Sequence, residues 1–484
     1  MSVRDSVGEK SLARAILEQT GENASLCYFC KKCTSGCPLS DHMDLAPHQV
    51  MRSIQMDRRD AVLRCKTLWL CASCQTCVTR CPQGLDLPRM MDALKTMATA
   101  EGVKCPIPDV RTFSQSTMRW VGLTGRSYEP GLIAERNLRS GKLMKDVGLG
   151  IKLIARGKLK LLPDMVRYSA PSRRPSIQGD DSTVAYYPGC SLHSTSSDYE
   201  ASVRTVVSEL GVKLEEPKGW VCCGSSAAHS TSHLQAAALP MKTLALVRSS
   251  GHGKLTTPCP ACFSRLKTAI RDVEADEALS REVTRETGYA WDGQVSVEML
   301  LDTVVDGVGL EKVAEKVKKP LAGLKVVCYY GCLSTRPPKV TGAEDVEYPT
   351  KMDRLAKTLG ATVLDWSYKT ECCGASLSVT QTGVAVELSA KILQNARDVG
   401  ADAVVTGCPL CHVNLDTRQA EMAANLGKRF DLPVVYFTQL MGLAFGVEPG
   451  VLGLHKHLVD PMPVLSPIIR REVRSGLMQK GADT

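Results

Sequence analysis

Three features that define common protein classes are missing from this chain of 484 residues. No apolar run reaches the ~18 residues that a membrane helix needs. No charged segment followed by an apolar one opens the chain, as a secretory signal would. No predicted strand leads into a GxGxxG turn, which marks nicotinamide and flavin dinucleotide sites. The sequence therefore predicts a cytoplasmic protein without a membrane span, which cannot accept hydride on a dinucleotide of its own.

Aromatic residues are also scarce, at 5%, whereas cysteine is abundant, with 21 residues. Chains held together by disulfides are usually short and secreted. Here the cysteines fall in tight CxxC groups, a pattern typical of thiolates that bind metal in a reducing compartment. The chain is long enough for about three domains of ~150 residues each.

The net charge is +9, and much of the excess lies between residues 119 and 175. Such a balance occurs in nucleic-acid-binding proteins, but no recognisable binding fold accompanies it, so we expect no nucleic-acid partner. Anionic substrates or an acidic electron-transfer partner account for the charge equally well. We expect the Lys/Arg-rich run at 142–174 to be a solvated helix face, with partner docking as the alternative. The polar stretch Pro171–Asp181 is predicted as a linker.

The first cysteine motif, CxxCxxCxxxCP, occurs twice, at Cys27–Pro38 and Cys71–Pro82. It is the bacterial ferredoxin run for 4Fe–4S clusters, in which the fourth cysteine serves the other cluster. Zinc, which uses four ligands and often paired CxxC elements, is the alternative, and two complete runs argue against it. The motif predicts two cubane clusters, one held by Cys27, Cys30, Cys33 and Cys81 and the other by Cys71, Cys74, Cys77 and Cys37.

A repeat of roughly 150 residues begins at Thr183. In each copy an apolar strand runs into a turn, in TVAYYPGC and again in LKVVCYYGC at 324–332. Helical stretches follow, and each copy has a later short strand that ends in CPxC, at 254–262 and 403–411. Strands that alternate with helices favour a parallel sheet. We therefore predict an α/β fold with a mainly helical N-terminal ferredoxin-type domain.

Between those strands each copy contains adjacent cysteines followed by glycine, in Trp220–Gly224 and Glu371–Gly374. In a strand, neighbouring side chains point to opposite faces, so both thiolates reach one object only if the backbone turns. Glycine permits such a turn, and the object is predicted to be an iron–sulfur cluster. Each copy has five cysteines, spaced C-x31-CC-x35-CxxC and C-x39-CC-x34-CxxC: Cys190, Cys222, Cys223, Cys259 and Cys262, then Cys332, Cys372, Cys373, Cys408 and Cys411.

Five cysteines are one more than a cubane or a tetrahedral zinc site requires. The alternative is four ligands and one buried free cysteine per copy, and recurrence of the fifth cysteine argues against it.

We call each copy a CCG module. The predicted parts are a helical domain with two 4Fe–4S clusters at 1–104, a basic helical connector and linker at 105–182, CCG modules at 183–320 and 321–447, and a tail at 448–484.

The modules, with YYPGC, YYGC, CCG and the CPxC ends, resemble the CCG domains of the catalytic subunit of heterodisulfide reductase. The N-terminal part resembles the ferredoxin-type subunit of that enzyme, so the chain resembles a fusion of the two. In that family each five-cysteine set binds a noncubane 4Fe–4S cluster, and the substrate disulfide lies between the two clusters. The resemblance implies that the ten module cysteines are catalytic. Iron–sulfur subunits of glycolate oxidase and anaerobic glycerol-3-phosphate dehydrogenase look similar but usually lack a complete CxxC at these ends.

These observations predict a disulfide-reducing iron–sulfur oxidoreductase of anaerobic metabolism, acting on a small, anionic disulfide. It needs an electron-donor partner, either a flavin-containing subunit or a membrane cytochrome, within a hetero-oligomeric complex. Such a partner would leave it cytoplasmic or hold it peripherally at a membrane. The alternative is a non-catalytic electron-transfer subunit that links a dehydrogenase or bifurcating flavoprotein to a quinone or carrier.

Seven further side chains near the motifs have weaker signals. Cys65 and Cys105 have no motif neighbours and are expected to be structural, and Cys328, inside the predicted strand before YYGC, is expected to be a small buried apolar residue. Four histidines lie close in sequence to module cysteines, namely His193, His229, His233 and His412. Histidine is suited to proton transfer near neutral pH, so any of them is a candidate donor to a product thiolate. The alternative for each is an ordinary hydrogen-bonding role.

Overall fold

The computed structural model describes residues 10–172, 175–177 and 183–470. Within these ranges no helix combines the length and the apolar character needed to cross a membrane. The N-terminal part is helical, as predicted, and its helices are α1 Leu12–Thr20, α2 Lys32–Ser35, α3 Pro47–Gln55, α4 Arg59–Leu63, α5 Thr67–Leu70, α6 Thr76–Thr79 and α7 Leu87–Ala100.

The longest of these helices, α7, organises the N-terminal core. It begins where the Asp86 side chain accepts a hydrogen bond from the Arg89 N–H at 3.1 Å, which satisfies a free amide of the first turn. Its apolar face, with Met90 and Leu94, packs in one buried cluster with Leu12 of α1. The two cysteine motifs lie on either side of α3 to α5 and are brought together by this packing.

The connector consists of three helices, α8 Pro108–Thr124, α9 Glu129–Ser140 and α10 Val147–Ala155. An irregular stretch follows and reaches the first module, where Lys158 Nζ lies 2.8 Å from Asp198 Oδ2 with both side chains fully buried. A buried ion pair of this kind is costly to break because it leaves one charge uncompensated. The connector is therefore tied to the module. The predicted linker at 171–181 lies partly outside the described residues.

Each module contains a four-stranded parallel sheet, and both sheets have the same strand order, second–first–third–fourth. The strands are β1 Thr183–Tyr186, β2 Lys213–Glu215, β3 Lys254–Thr257 and β4 Ser296–Met299, then β5 Lys325–Tyr329, β6 Thr362–Val363, β7 Ala403–Thr406 and β8 Val434–Tyr436. The predicted parallel α/β modules are confirmed. In this order the chain changes direction between the first and third strands, and ligands of parallel sheets bind at such points, beyond the carboxyl ends of the strands.

Helices cover both sheets. In the first module these are α11 Ser197–Glu209, α12 His233–Ser249, α13 Pro260–Ala275 and α14 Glu277–Thr287. A π-helix, Thr303–Gly309, separates the short α15 Leu300–Asp302 from α16 Leu310–Glu315. The helices that follow are α17 Pro338–Thr341, α18 Lys351–Thr358, α19 Thr382–Asp398, α20 Pro409–Thr417, α21 Gln419–Leu426, α22 Phe437–Ala444 and α23 Met462–Ile469.

The two modules share one hydrophobic core. Tyr199 of α11 stacks on Tyr436 at the end of β8, with ring centroids 3.9 Å apart. Next to this pair the hydroxyls of Ser202 and Thr438 are 2.7 Å apart. The C-terminal stretch joins the same core through buried side chains such as Leu454. The tail thus packs on this shared core as far as Ile469.

Candidate functional site

The two ferredoxin-type loops have the same unusual backbone. In the first loop Phe29 and Lys31 have φ angles of +66° and +64°, and in the second Ser73 and Gln75 have +50° and +63°. Positive φ is uncommon for residues other than glycine. It occurs here at the second and fourth positions after the first cysteine of each motif. Both loops therefore curl in the same way around the space that their three cysteines share.

Two cavities next to these loops contain the crossed cysteine sets. One, of about 390 Å³, is lined by Cys27, Cys30, Cys33 and Cys81, and also by Cys77. The other, of about 380 Å³, is lined by Cys37, Cys71, Cys74 and Cys77. Four thiols around a space of this size fit a polynuclear cluster, and the ligand assignment stays a prediction.

The two cavities differ in their surroundings. Cys30 is exposed, and the neighbouring side chains of Leu26 and Tyr28 are 52% and 58% exposed. The second cavity lies against the second module, where Leu39 packs with Leu377 and other apolar side chains. The first set is thus the one at the surface, and the second is the one next to the CCG modules.

In the first module the five predicted cysteines lie at the carboxyl end of the sheet. Cys190 follows β1, Cys259 follows β3, and the adjacent pair precedes α12. The Sγ atoms of Cys223 and Cys262 are 3.4 Å apart. The nearby Cys190 and Cys223 thiols, together with burial, raise the pKa of Cys222 well above its ordinary value. The structure therefore brings all five thiols into one group, since Cys262 also interacts with Cys259.

The second module repeats this arrangement. The Sγ atoms of Cys373 and Cys411 are 3.6 Å apart. The neighbouring Cys332 thiol raises the pKa of Cys372, and Cys373 and Cys408 do the same for Cys411. Within each group one thiol shows the opposite shift, since hydrogen bonds from neighbouring thiols lower the pKa of Cys223 and Cys373. Such coupled shifts are what closely grouped thiols produce, because one thiolate disfavours ionisation of the next. A polynuclear metal group would offset this repulsion, and the donor sets fit one.

The double cysteines occupy a sharp turn, as the sequence predicted. Gly224 and Gly374 have φ angles of +72° and +74°, and the amide of each donates to the first sulfur of its pair at 3.4 Å. In each module a tyrosine at or directly after the end of the first strand, β1 or β5, holds this turn with a hydrogen bond. The Tyr187 hydroxyl donates to the carbonyl of Val221 at 2.9 Å, and the Tyr329 hydroxyl donates to that of Glu371 at 2.6 Å.

Two further glycines make space for the sulfur atoms. A Cβ atom at Gly189 would lie 2.9 Å from Cys262 Sγ, and one at Gly331 would lie 3.1 Å from Cys411 Sγ. Both glycines have positive φ, +75° and +72°. Gly189 and Gly331 therefore form part of the wall of the cysteine group in their module.

Substitution of these glycines should impair iron binding in one module at a time. We expect Gly331→Ala to lose most of the iron of the second module, because its methyl group would press on Cys411 Sγ. Gly211→Ala is the matched control, since Gly211 has a φ of +78° but no atom within 4 Å of an added Cβ. Iron content per chain is the measurement. Equal iron loss in both variants would mean that backbone strain alone is responsible.

A cleft of about 1070 Å³ is bordered by the second cysteine group and by the loops that carry the first. All five cysteines of the second module line it, as do Ser225 and Ala261 from the loops that carry the first group. Tyr199 lies near one cysteine of each group: burial, and then the nearby Cys408 and Cys259, raise its pKa well above the ordinary value. The second group and the loops of the first thus line one cleft from opposite modules.

Polar side chains line the same cleft. His229 Nδ1 lies 2.7 Å from Asp92 Oδ2. Burial lowers the pKa of His229. Arg265 also lines the cleft and has no ion pair with any other described residue. Sequence reasoning missed Arg265, although its position three residues after Cys262 on one helix was a usable signal.

The other candidate histidines lie away from this cleft. His193 is 3.4 Å from Glu216, and His233 is 3.5 Å from Asp272 and 38% exposed. His412 is fully buried and stacks on Tyr436. The three cysteines expected to be structural are all buried in apolar clusters, namely Cys65, Cys105 and Cys328.

The ferredoxin part and the second module meet at their cysteines. The adjacent Cys372 thiol, followed by burial, raises the pKa of Cys74 well above its ordinary value. Beside them the fully buried Arg336 guanidinium donates to Thr76 Oγ1 and to the Thr370 carbonyl, both at 2.9 Å. It also pairs with Glu347 at 2.8 Å. Arg336 thus holds two cysteine loops against each other.

Comparisons with known proteins identify the N-terminal part and both modules. Residues 26–86 match the model of a 4Fe-4S dicluster domain, and residues 184–267 and 326–416 each match that of a cysteine-rich domain named CCG. These domains indicate bound iron–sulfur clusters. The 8-methylmenaquinol:fumarate reductase membrane anchor subunit of Wolinella succinogenes is 33% identical over 278 residues, which are 57% of this chain and 96% of that protein.

Two relatives are parts of one enzyme of Methanosarcina acetivorans, the ferredoxin/F(420)H(2)-dependent CoB-CoM heterodisulfide reductase. One of these two polypeptides is 28% identical over 302 residues, covering 61% of this chain and 99% of its own length. The other is 34% identical over 91 residues, covering 19% of this chain and 56% of its own length. A crystal structure of a hypothetical protein from Helicobacter pylori has the same fold, with a TM-score of 0.59, 11% identity, and 93% of this chain and 76% of that one covered.

Proposed function

The chain belongs to the heterodisulfide reductase family, and we propose that it reduces a small disulfide to two thiols, or catalyses the reverse. The observation that carries this proposal is the cleft lined by the five cysteines of the second module and, from the first module, by side chains next to its cysteines such as Ala261 and Arg265. A pure relay does not need a cleft of this size beside its cysteines. A disulfide within it would contact the second group directly and would have the loops of the first group on its other side.

We assign the cysteines as follows. Two cubane clusters would be held by the crossed sets Cys27, Cys30, Cys33 with Cys81, and Cys71, Cys74, Cys77 with Cys37. Two noncubane 4Fe–4S clusters would be held by the two groups of five, Cys190, Cys222, Cys223, Cys259, Cys262 and Cys332, Cys372, Cys373, Cys408, Cys411. When bound, such clusters exchange electrons one at a time, and a disulfide needs two.

Reduction of one S–S bond consumes two electrons and two protons and yields two thiols. His229 is the side chain that we assign to proton transfer. Although burial would raise the pKa of Asp92, the nearby His229 and Lys95 lower it, so Asp92 is ionised and accepts the His229 Nδ1–H. The remaining nitrogen, Nε2, is then free to take up a proton and pass it to a product thiolate.

Arg265 is the group that we assign to substrate charge. A guanidinium that lines a cleft and forms no ion pair within the described part of the chain is suited to a carboxylate, sulfonate or phosphate. This supports an anionic disulfide, as the basic composition suggested. The position of Arg265 on α13, beside Cys262, places its charge close to the first cysteine group.

The Arg265→Met variant should separate binding from chemistry. We expect the KM for an anionic disulfide to rise about tenfold, because a charge-assisted hydrogen bond is lost, while kcat changes little. A neutral disulfide should show no comparable effect. Lys267→Met on the same helix is the control, since Lys267 does not line the cleft. Equal changes for both substrates would contradict the assignment.

Electrons are proposed to enter at the exposed Cys27 set, where Leu26 and Tyr28 leave an apolar surface open. The donor would be a flavin-containing subunit or a membrane cytochrome in a hetero-oligomeric complex. The contact between Cys74 and Cys372 offers a short path from the second set to the second module.

The second candidate is an electron-transfer subunit without a substrate of its own, linking a dehydrogenase or bifurcating flavoprotein to a quinone or carrier. It is favoured by one relative, whose name assigns it to a menaquinol:fumarate reductase.

The test mixes anaerobically reduced protein with disulfides that differ in charge and follows the release of thiols. Stoichiometric thiol release supports the enzyme. Fast reoxidation by a menaquinone analogue, without thiol release from any disulfide, would favour the relay.

A further inference from the structure

The connector exposes an unusual amount of apolar surface. Sixteen large apolar side chains are exposed among the described residues, and nine of them lie between residues 123 and 165. More than half of the exposed apolar side chains thus lie in one short stretch. On an ordinary protein surface such side chains are scattered singly. We call the following side chains the connector patch: Leu138, Leu143, Met144, Ile151, Ile154, Leu161, Leu162 and Met165.

Helix α10 is the clearest part of the patch. Every residue of Val147–Ala155 is apolar or glycine except Lys152, yet Leu153 is the one buried residue of the helix. Ile151 and Ile154, 62% and 44% exposed, are three positions apart and so lie on one face. A helix this apolar normally buries its stripe against a core. In α10 the apolar stripe is exposed instead.

Positive charge accompanies the patch. Residues 138–167 contain eight Lys and Arg residues but only two acidic ones. Lys158 is buried against Asp198, whereas Lys142, Lys152 and Lys160 are exposed; of these, Lys142 and Lys160 pair with Asp109 and Asp164 at the surface. Exposed apolar side chains interspersed with Lys and Arg are characteristic of segments that lie in the interface of an anionic bilayer.

We propose that the connector patch binds the surface of a membrane rich in anionic phospholipids, with its leucine, isoleucine and methionine side chains inserted between the headgroups. The stretch 138–167 contains no Phe, Trp or Tyr, the residues enriched at the centres of protein–protein interfaces. It also lies between the ranges that match family models, 26–86 and 184–267. Binding in the interface needs no membrane-crossing helix, and the described residues contain none.

The test is co-sedimentation of the full chain with vesicles of phosphatidylcholine, with and without phosphatidylglycerol. We expect binding to the anionic vesicles, weakened by added salt because the Lys and Arg charges are screened. The combined variant Ile151→Ser, Ile154→Ser, Leu161→Ser and Leu162→Ser should lower the bound-to-free ratio by about tenfold or more. Since these side chains are exposed, the variant should keep its iron content and visible absorption.

The matched control replaces exposed apolar side chains outside the patch, Tyr348→Ser with Val451→Ser, 58% and 54% exposed in the native chain. It should bind vesicles as the unchanged protein does. The proposal is overturned by any of three results: no binding to anionic vesicles, equal binding to neutral ones, or equal binding by the patch variant. Because the readout is sedimentation, it does not depend on the substrate of the cleft.

Discussion

The Cys373→Ser variant should lose disulfide turnover by more than about a hundredfold, while both N-terminal clusters remain reducible. Its sulfur lies 3.6 Å from that of Cys411 and belongs to the group that lines the cleft. A serine hydroxyl replaces a soft thiolate by a poor ligand for iron. The crossed sets that would hold the cubanes occupy separate cavities and should be unaffected. Thiol release measures turnover, and electron paramagnetic resonance of the reduced protein reports the cubanes.

The matched control is Cys328→Ser. Cys328 is also fully buried in the second module, but it packs in an apolar cluster. The Cys328→Ser variant should be less stable than the unchanged protein but should keep the paramagnetic resonance signals of all clusters. The Cys223→Ser variant should behave as Cys373→Ser does, because the first module repeats the arrangement. Survival of turnover in both double-cysteine variants would show that the adjacent cysteines are structural.

The Arg336→Met variant should slow electron transfer between the ferredoxin part and the second module. Arg336 joins Thr76, which lies between two cysteines of the second crossed set, to Thr370, two residues before Cys372. Without this guanidinium the two loops lose a shared anchor, and Cys74 is no longer held against Cys372. Electron transfer falls steeply with distance, so we expect turnover to drop at least about tenfold.

Stopped-flow reduction distinguishes this effect from general damage. In the Arg336→Met variant the cubanes should be reduced at the normal rate by dithionite, and reduction of the remaining clusters should lag. Arg80→Met is the control, since Arg80 pairs with the same Glu347 at 3.5 Å but is 38% exposed. The absence of a lag in Arg336→Met, or the same lag in both variants, would contradict a bridging role.

The cysteine spacing carried most of the information about the candidate site. The crossed arrangement, in which Cys37 lies with the second loop and Cys81 with the first, followed from the ferredoxin-type run alone. The glycine after each double cysteine predicted the turn found at Gly224 and Gly374. The strand-then-helix order predicted the parallel sheets. These features are local, so a single sequence contains them.

The features that the sequence did not reveal depend on contacts between distant parts of the chain. The stacking of Tyr199 on Tyr436, through which the modules share a core, has no local signature. Arg336 was not distinguishable from a surface arginine, because its partner Thr76 lies 260 positions away. The packing of the tail through Leu454 was missed because its core lies in both modules. Such contacts arise from topology rather than periodicity.

Iron content tests the central claim most directly. If two crossed sets hold cubanes and two five-cysteine groups hold noncubane clusters, anaerobically purified protein should contain about sixteen iron atoms per chain, four for each cluster. The Cys373→Ser variant should then contain about twelve. About eight iron atoms in the unchanged protein, with no loss in the variant, would show that the CCG modules bind no iron and would contradict the account.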